Sequence, residues 1–492
     1  MIKFRFGSHS LSNLYKRINM KEKFKYLLSN TFIFGIGAFL AKLIMLLLMP
    51  LYTSILTTEQ YGIAELLNNS IEVVLPIATL CIIDAVFRFA IDEDADCKSL
   101  LTTAISVILK SYVIMLIICV GYYLLSGYEY TFYFYFLYVA TTVHKLFSQF
   151  SRGLGHIKRF AISGIILSIT LVVLNVIFLV FLKMGIKGYL LSLIMAYVIA
   201  GVFSFFVSKA YIYIEKNRIN RVLLRNMLIF SVPNIPNMLS WWINNISSRY
   251  FILGFCGIGI AGMFTAASKL PSIVRLLSTI FQQAWQYSSS KEIKSEDSST
   301  FFTDVFKYYS SFIFIACSAI ISVTPYIAVF ILRGEFYKAW VYIPLLMLSA
   351  TIGCFSTFFG TFYIAVKNNK MAMVSTGIGA AVSIMLNIAL IPFIGVYGAL
   401  FANVVSYLVI TAIRMVDTKK YVSMKINYSL LVLQFFIILT QAIVITIGNI
   451  NAFIFSITCF FIIVLLNINS IIGIVKIAYK LVKRKKEHNF EQ

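Results

Sequence analysis

Long apolar segments alternate with short polar ones along nearly the whole chain, and this pattern predicts a helical protein that crosses a membrane many times. A transmembrane helix needs roughly 20 mainly apolar residues. Fourteen segments reach that length and are numbered here as spans 1 to 14: 29–51, 61–83, 100–125, 129–150, 160–182, 186–208, 226–248, 259–286, 304–331, 338–365, 371–393, 396–416, 427–447 and 451–475. The predicted fold class is an all-α polytopic membrane protein with about 14 transmembrane helices.

Two halves of this pattern resemble each other. The motif Gly-x-x-Gly stands at 185–188 before span 6 and again at 395–398 before span 12. Tyr197 and Tyr407 follow the two motifs at the same distance. Because each half holds an even number of spans, the halves are parallel repeats related by an axis along the membrane normal.

The repeat divides the chain into lobes and connecting segments. The predicted divisions are a basic N-terminal segment (1–25), an N-lobe of spans 1 to 6 (26–208), a basic linker (209–225), a C-lobe of spans 7 to 12 (226–416), spans 13 and 14 (417–475) and a basic tail (476–492). No stretch between the spans is long enough for a separate soluble domain.

Composition and charge give the orientation. The sequence is 60% hydrophobic and 12% charged, whereas soluble domains carry about a quarter charged residues. Its 42 Lys and Arg exceed its 19 Asp and Glu, and most of the cations lie in segments on the side that holds both termini. The positive-inside rule therefore predicts cytoplasmic termini, and the excess charge indicates topology rather than a nucleic-acid partner.

Polar residues recur at helical spacing inside several spans. Span 8 carries one continuous polar face, with steps of three and four residues: Thr265, Ser268, Ser272, Arg275, Thr279, Gln282 and Gln286. Span 7 carries a similar set: Asn234, Asn237, Trp241, Asn244 and Ser248, with Arg249 near its outer end. Ionisable residues also occur in spans 1, 2, 4 and 8: Lys42, Glu65, Glu72, Lys145 and Lys269.

An ionisable residue in the middle of a bilayer costs at least a few kcal/mol, so these side chains predict a water-filled, net cationic cavity between the lobes. The candidate substrate-binding residues are Lys42, Lys145, Arg249, Lys269, Arg275, Asn237, Trp241, Asn244 and Gln282. Glu65 and Glu72 are candidates for coupling transport to H⁺ or Na⁺. Two alternatives stay open: hydroxyl and amide stripes that only hold helices together, and carboxylates that only neutralise Lys42 and neighbouring cations.

No motif indicates catalysis or a metal site. The Gly-x-Gly-x-x-Gly pattern at 257–262 follows no strand, and the acidic cluster at 92–96 lies in a short loop. The histidines and cysteines show no ligand spacing. We therefore expect a protein that is not an enzyme and has no metal or cofactor beyond a coupling ion.

Several local motifs carry a family resemblance. They are Phe-Ile-Phe-Gly-Ile-Gly at 32–37, Met-Pro-Leu-Tyr at 49–52, Glu-Gln-Tyr-Gly at 59–62, Arg-Gly-Leu-Gly-His-Ile-Lys at 152–158 and the repeated Gly-x-x-Gly. In this order they resemble the Wzx-type flippases of O-antigen and exopolysaccharide repeat units, a branch of the multidrug/oligosaccharidyl-lipid/polysaccharide (MOP) exporter superfamily. The resemblance covers about residues 25–475 in layout.

The resemblance implies a V-shaped pair of six-helix lobes around a central cavity, in the bacterial cytoplasmic membrane. Such proteins move an undecaprenyl-diphosphate-linked oligosaccharide to the outer leaflet for O-antigen, capsule or exopolysaccharide assembly. It also implies membrane lipids and the polysaccharide polymerase machinery as partners. Spans 13 and 14 are similar to the pair that offers a lipid groove in lipid II flippases.

Other functions stay open beside this one. The chain is also compatible with a lipid II flippase or a drug exporter of the multidrug and toxin extrusion (MATE) type. However, span 1 has Lys42 and no counterpart of the cation-site acid of the MATE branch. A membrane glycosyltransferase or an O-antigen polymerase is a further alternative, against which the short outer loops argue.

Overall fold

The computed structural model describes residues 46–92, 94–215, 219–293, 298–366 and 370–473, and these ranges contain helices and turns but no strand. Within these ranges, eight helical segments are long and apolar enough to cross a membrane singly. They form spans 3, 5, 6 and 9 to 13: Cys97–Ser126, Ile157–Asn175 continued by the π-helix Val176–Phe181, Gly185–Val207, Ser298–Ile331, Ile343–Ala365 after the 3-10 helix Gly334–Tyr342, Lys370–Ile394, Val396–Asp417 and Tyr428–Val444.

Spans 2 and 8 are each bent, although the sequence predicts one continuous span at both places. Span 2 consists of Thr58–Ala78 and Ile82–Ala90, which meet at 67°. Leu80 and Cys81 at the bend both have a φ of 53°, a left-handed conformation that cannot continue a helix. In span 8, the helix Ile258–Ala267 is bent by 47° relative to the helix that begins at Pro271. Proline lacks the N–H that would continue the hydrogen-bond ladder.

The remaining spans are shorter or more polar. Spans 4 and 7 are the long helices Thr131–Gly153 and Asn234–Cys256, whose polar stripes lower their hydropathy. Span 14 is Ile450–Leu466, a shorter apolar helix. Only the end of span 1 lies in the described residues, as the helix Met49–Ile55. With a helix or helix pair at each of spans 2 to 14, the all-α polytopic fold class is confirmed.

Two further helices occur in the described part of the segment predicted as a linker: the short helix Ala210–Tyr213, and Arg221–Ser231, which begins there. Asn220 starts this helix, because its side chain accepts hydrogen bonds from the backbone N–H groups of Val222 and Leu223 at 3.0 Å each. The helix leads directly into span 7. The described part of the connection between the lobes is therefore helical near both of its ends.

The two groups of spans meet where spans 2 and 8 begin. Gly62 and Gly262 face each other there, and a methyl group added to Gly62 would lie 2.6 Å from the carbonyl oxygen of Ile258. These glycines allow a close backbone approach that any side chain would prevent. The helices Thr58–Ala78 and Ile258–Ala267 are therefore in close backbone contact at their first turns.

Spans 13 and 14 pack against span 9 through a buried polar cluster. The Gln441 amide nitrogen donates to Ser322 Oγ and to the Ser456 carbonyl, at 3.0 Å each. Ser318 Oγ donates to the Gln441 amide oxygen at 2.7 Å. Gln441 is fully buried, so this network ties the terminal pair to span 9.

Candidate functional site

A cavity of about 560 Å³ lies between the two groups of spans and is called here the central cavity. Its polar lining comes from spans 2, 4 and 6 on one side and spans 7 and 8 on the other: Glu65, Asn68, Asn69, Glu72, Thr141, Lys145, Tyr197, Asn245, Arg249, Ser268, Lys269, Ser272, Arg275 and Thr279. The cations in this lining outnumber the two carboxylates. The central cavity therefore has a net positive charge.

One of these cations is already paired. The Lys269 ammonium donates to both carboxylate oxygens of Glu65 at 2.9 Å, and the Tyr189 hydroxyl donates to the same carboxylate at 2.8 Å. Glu65 is only 3% exposed. The Glu65–Lys269 pair links span 2 to span 8 across the interface between the lobes.

The remaining cations have no carboxylate at ion-pair distance among the described residues: Lys145, Arg249 and Arg275. Arg275 Nη1 donates instead to the amide oxygen of Asn245 at 3.0 Å. The Tyr407 hydroxyl donates to the same oxygen at 2.7 Å, which fixes the amide toward the guanidinium. The Nε atoms of Arg249 and Arg275 are buried without a hydrogen-bond partner in the described structure. Arg249 and Arg275 therefore keep hydrogen-bond donors that no described residue uses.

A second cavity of about 500 Å³, called here the C-lobe pocket, lies among spans 7, 8, 10, 11 and 12. Its lining includes the predicted residues Asn237, Trp241 and Gln282 and also Arg414. A smaller space of about 150 Å³ shares Arg275 and Thr279 with the central cavity, and Trp241 and Gln282 with the C-lobe pocket. Polar side chains therefore line a path from one cavity to the other.

The structure distributes the predicted substrate-binding residues unequally. Lys145, Arg249, Lys269 and Arg275 line the central cavity, whereas Asn237, Trp241 and Gln282 line the C-lobe pocket. Both candidate coupling residues, Glu65 and Glu72, lie in the central cavity. Lys42 lies outside the described residues, so its predicted role and its pairing with Glu65 or Glu72 stay predictions.

Asn244 is predicted to line the substrate cavity, but its side chain packs between helices. Its side chain is buried between spans 7, 11 and 12, where it donates to the Thr376 carbonyl at 3.1 Å and accepts from Ser406 Oγ at 2.9 Å. It is not among the residues that line either cavity. The neighbouring Asn245 lines the central cavity instead, because one residue turns a helix by about 100°.

Metal ligation is not suggested by the side chains that the structure places together. Among the described residues, no group of three or more His, Cys, Asp or Glu could hold a metal ion. The site chemistry rests on cations, amides, hydroxyls and aromatic rings.

The fold is shared with solved transporters of the MOP superfamily. The chain is similar to the lipid II flippase MurJ in an inward closed conformation, with a TM-score of 0.61 and 15% identity, covering 93% of this chain and 99% of that one. It is also similar to an inward-facing MATE family multidrug transporter, with a TM-score of 0.59 and 14% identity over 77% of this chain and 95% of that one.

A third similar structure is a MOP superfamily transporter from Pyrococcus furiosus Vc1 (DSM3638), with a TM-score of 0.55 and 13% identity over 79% of this chain and 96% of that one. Together with the apolar helices, these likenesses define an integral membrane protein with the MOP transporter fold.

The family model described as "Polysaccharide biosynthesis protein" matches residues 27–286. The chain belongs to this family. The search of curated proteins gave no match.

Proposed function

We propose that this protein is a flippase, which moves a polyprenyl-diphosphate-linked oligosaccharide from the cytoplasmic to the outer leaflet of the bacterial cytoplasmic membrane. The observation that carries the proposal is the central cavity, where Lys145, Arg249 and Arg275 have no carboxylate partner among the described residues. A diphosphate carries about two negative charges, and its bare transfer through hydrocarbon is prohibitive. Guanidinium and ammonium groups replace water as its counter-charge.

The C-lobe pocket supplies the groups that a glycan needs. The amides of Asn237 and Gln282 can donate to and accept from sugar hydroxyls. Trp241 offers an aromatic face for the apolar side of a sugar ring. The polyprenyl tail can stay in the lipid while the diphosphate and glycan cross through the two cavities.

The positions of the lobe contacts support an inward-facing state. The lobes meet at the Gly62–Gly262 contact and at the Glu65–Lys269 pair, near the ends of spans 2 and 8 that the positive-inside pattern assigns to the outer face. The C-lobe pocket extends to Pro233 at the opposite end.

Reporter fusions test the orientation: a fusion after Gly127 is expected outside, and fusions after Asn217 and Lys483 in the cytoplasm.

Flipping of a labelled undecaprenyl-diphosphate disaccharide in proteoliposomes tests the function. Arg275→Gln removes one positive charge from the central cavity. A lost charge-assisted hydrogen bond is worth about 1.5–3 kcal/mol, so we expect flipping to slow by about tenfold or more. Lys187→Gln is the matched control, because Lys187 lies in the first turn of the helix Gly185–Val207 and pairs with Glu129 outside the cavity. An unchanged rate in a stable Arg275→Gln protein would place the substrate path elsewhere.

The main alternatives differ in substrate. A net positive cavity disfavours the cationic drugs that a multidrug exporter carries. Lipid II shares the polyprenyl diphosphate, so it fits the same cations and differs only in the glycan and peptide. Unlabelled lipid II and an undecaprenyl-diphosphate glycan, each added as competitor to the flipping assay, distinguish the two.

A further inference from the structure

We propose that the C-lobe pocket is a specificity site that binds an acidic sugar of the glycan through Arg414. This inference rests on the proposed function and adds the class of glycan that the pocket selects. Arg414 lies in span 12, and its side chain is only 2% exposed. It lines the pocket together with Trp241 and Gln282.

Neutral groups from spans 10 and 11 hold the Arg414 guanidinium in place. Nε donates to Ser375 Oγ at 2.9 Å, Nη2 donates to Thr376 Oγ1 at 2.8 Å, and Nη1 donates to the Ser356 carbonyl at 2.8 Å. These bonds fix the plane of the guanidinium but supply no negative charge.

No carboxylate of the described residues forms an ion pair with Arg414. Asp417, one turn further along the same helix, accepts instead from Lys420 at 2.7 Å. A buried cation without a counter-charge is costly, and an anionic group on the substrate would supply that charge. The pocket therefore favours a ligand that brings its own carboxylate.

The local backbone keeps the guanidinium close to the pocket surface. Gly360 lines the pocket, and a methyl group added to it would lie 2.8 Å from Arg414 Nη1. A larger residue at this position would displace the guanidinium. The Trp241 ring lies beside it, with the Arg414 Cζ 5.9 Å from the ring centroid. A charge and an aromatic face together suit a sugar that carries a carboxylate.

The pocket lies at a distance from the central cations that one substrate can span. Arg275 and Gln282 stand seven residues apart on the helix Pro271–Glu292, which corresponds to about 10 Å along its axis. A diphosphate beside Arg275 can therefore leave the attached sugars near Gln282, Trp241 and Arg414. The central cavity then recognises the diphosphate common to all such substrates, while the C-lobe pocket distinguishes their glycans.

The test compares two substrates in proteoliposomes: an undecaprenyl-diphosphate disaccharide that ends in glucuronic acid, and the matched one that ends in glucose. The wild type should flip the acidic substrate about tenfold faster at subsaturating concentration. Arg414→Gln should lose this preference and flip the two substrates at equal rates. Arg414→Lys, which keeps the charge, should retain part of the preference. Arg275→Gln should slow both substrates equally.

Each outcome separates the two proposals. A wild type that flips neither substrate contradicts the proposed function. A wild type that flips both at the same rate, or an Arg414→Gln protein that keeps the preference, overturns the acidic-sugar site. Equal slowing of both substrates by Arg414→Gln would mean that the residue only ties spans 10, 11 and 12 together.

A second measurement covers the case in which Arg414→Gln does not fold. Soluble glucuronate-containing and glucose-containing disaccharides are added to the wild-type protein on the cytoplasmic side. The acidic sugar should inhibit flipping at a lower concentration than the neutral one. Equal inhibition by both would overturn the proposal without any variant.

Discussion

The Lys269 ammonium lies 2.9 Å from both carboxylate oxygens of Glu65, and this pair joins span 8 of one lobe to span 2 of the other. In the proposed flippase, alternating access requires such a contact to break when the side assigned as outer opens. Since Lys269 also lines the central cavity, a bound diphosphate would compete with Glu65 for it. Substrate binding would thereby weaken the contact that keeps the outer side closed.

Removal of either partner should destabilise the protein. Lys269→Met leaves the buried Glu65 carboxylate without its counter-charge, and Glu65→Gln leaves the ammonium unpaired. A broken buried pair costs about 3–5 kcal/mol, and partial exposure of the Lys269 side chain lowers our expectation to about 1–3 kcal/mol. Thermal unfolding of the purified protein in detergent measures the change.

The double variant and a surface pair provide the controls. Glu65→Gln combined with Lys269→Met removes both charges and should regain part of the stability lost in each single variant. Lys187→Met breaks an exposed pair with Glu129 and should change stability by about 0–1 kcal/mol. If the double variant loses as much unfolding free energy as the two single variants lose together, the two charges do not interact.

The glycine contact between the lobes predicts a steric effect. Gly62→Ala places a methyl group 2.6 Å from the Ile258 carbonyl oxygen, so the lobes must separate locally. We expect a loss of about 1–3 kcal/mol in stability and slower flipping. Gly121→Ala in span 3 is the matched control, because its methyl group would meet no atom within 4 Å. Equal melting temperatures for the two variants would contradict a close contact at Gly62.

Gln441 provides a test of how the terminal pair is attached. Gln441→Leu removes the hydrogen bonds to Ser318, Ser322 and Ser456 and leaves polar groups of span 9 unpaired. At about 0.6 kcal/mol per interhelical bond in membrane proteins, we expect a loss of about 1–2 kcal/mol. The exposed Thr440 bonds only to its own helix, so Thr440→Val should be neutral. Limited proteolysis between spans 12 and 13 and thermal unfolding both measure the effect.

Most of the fold could be predicted from hydropathy, since each apolar segment must form its own backbone hydrogen bonds in lipid. The polar stripe from Thr265 to Gln282 gives no sign of the bend in span 8, because it fits a straight helix equally well, and only Pro271 marks the break in the sequence. In the structure this stripe is distributed: Thr265 is buried, Arg275 faces the central cavity and Gln282 faces the C-lobe pocket. The local turn at Ser268 decides which cavity each side chain meets.

The sequence pattern does not identify Asn245 and Arg414 as residues that line the cavities, because tertiary packing decides the position of both side chains. Asn244 and Asn245 both stand at helical spacing from Trp241, and the sequence pattern does not show which of the two faces the cavity. Arg414 lies close to the basic end of span 12, where a cation is expected for topology alone. Its burial depends on hydroxyls from Ser375 and Thr376 in another span, and such a tertiary contact leaves no periodic signal.

The last prediction concerns the coupling of transport to an ion gradient. Glu65 is engaged by Lys269 and Tyr189, whereas Glu72 is exposed to the central cavity and forms no ion pair with a described residue. Glu72 is therefore the better candidate to bind H⁺ or Na⁺ when the empty carrier resets. Outward movement of the anionic head already gains about 2.3 kcal/mol per charge per 100 mV, if the charge crosses the full field.

Proteoliposome flipping under imposed pH, Na⁺ and voltage gradients separates these contributions. We expect Glu72→Gln to keep the response to voltage, because the charge of the substrate is unchanged, and to lose the response to the H⁺ or Na⁺ gradient. Asn68→Ala is the control, because it removes a neutral side chain from the same cavity and changes no charge. It should keep the response to voltage and the response to the ion gradient. If Glu72→Gln responds to all three gradients as the wild type does, Glu72 only neutralises nearby cations, and the voltage acting on the substrate remains the driving force.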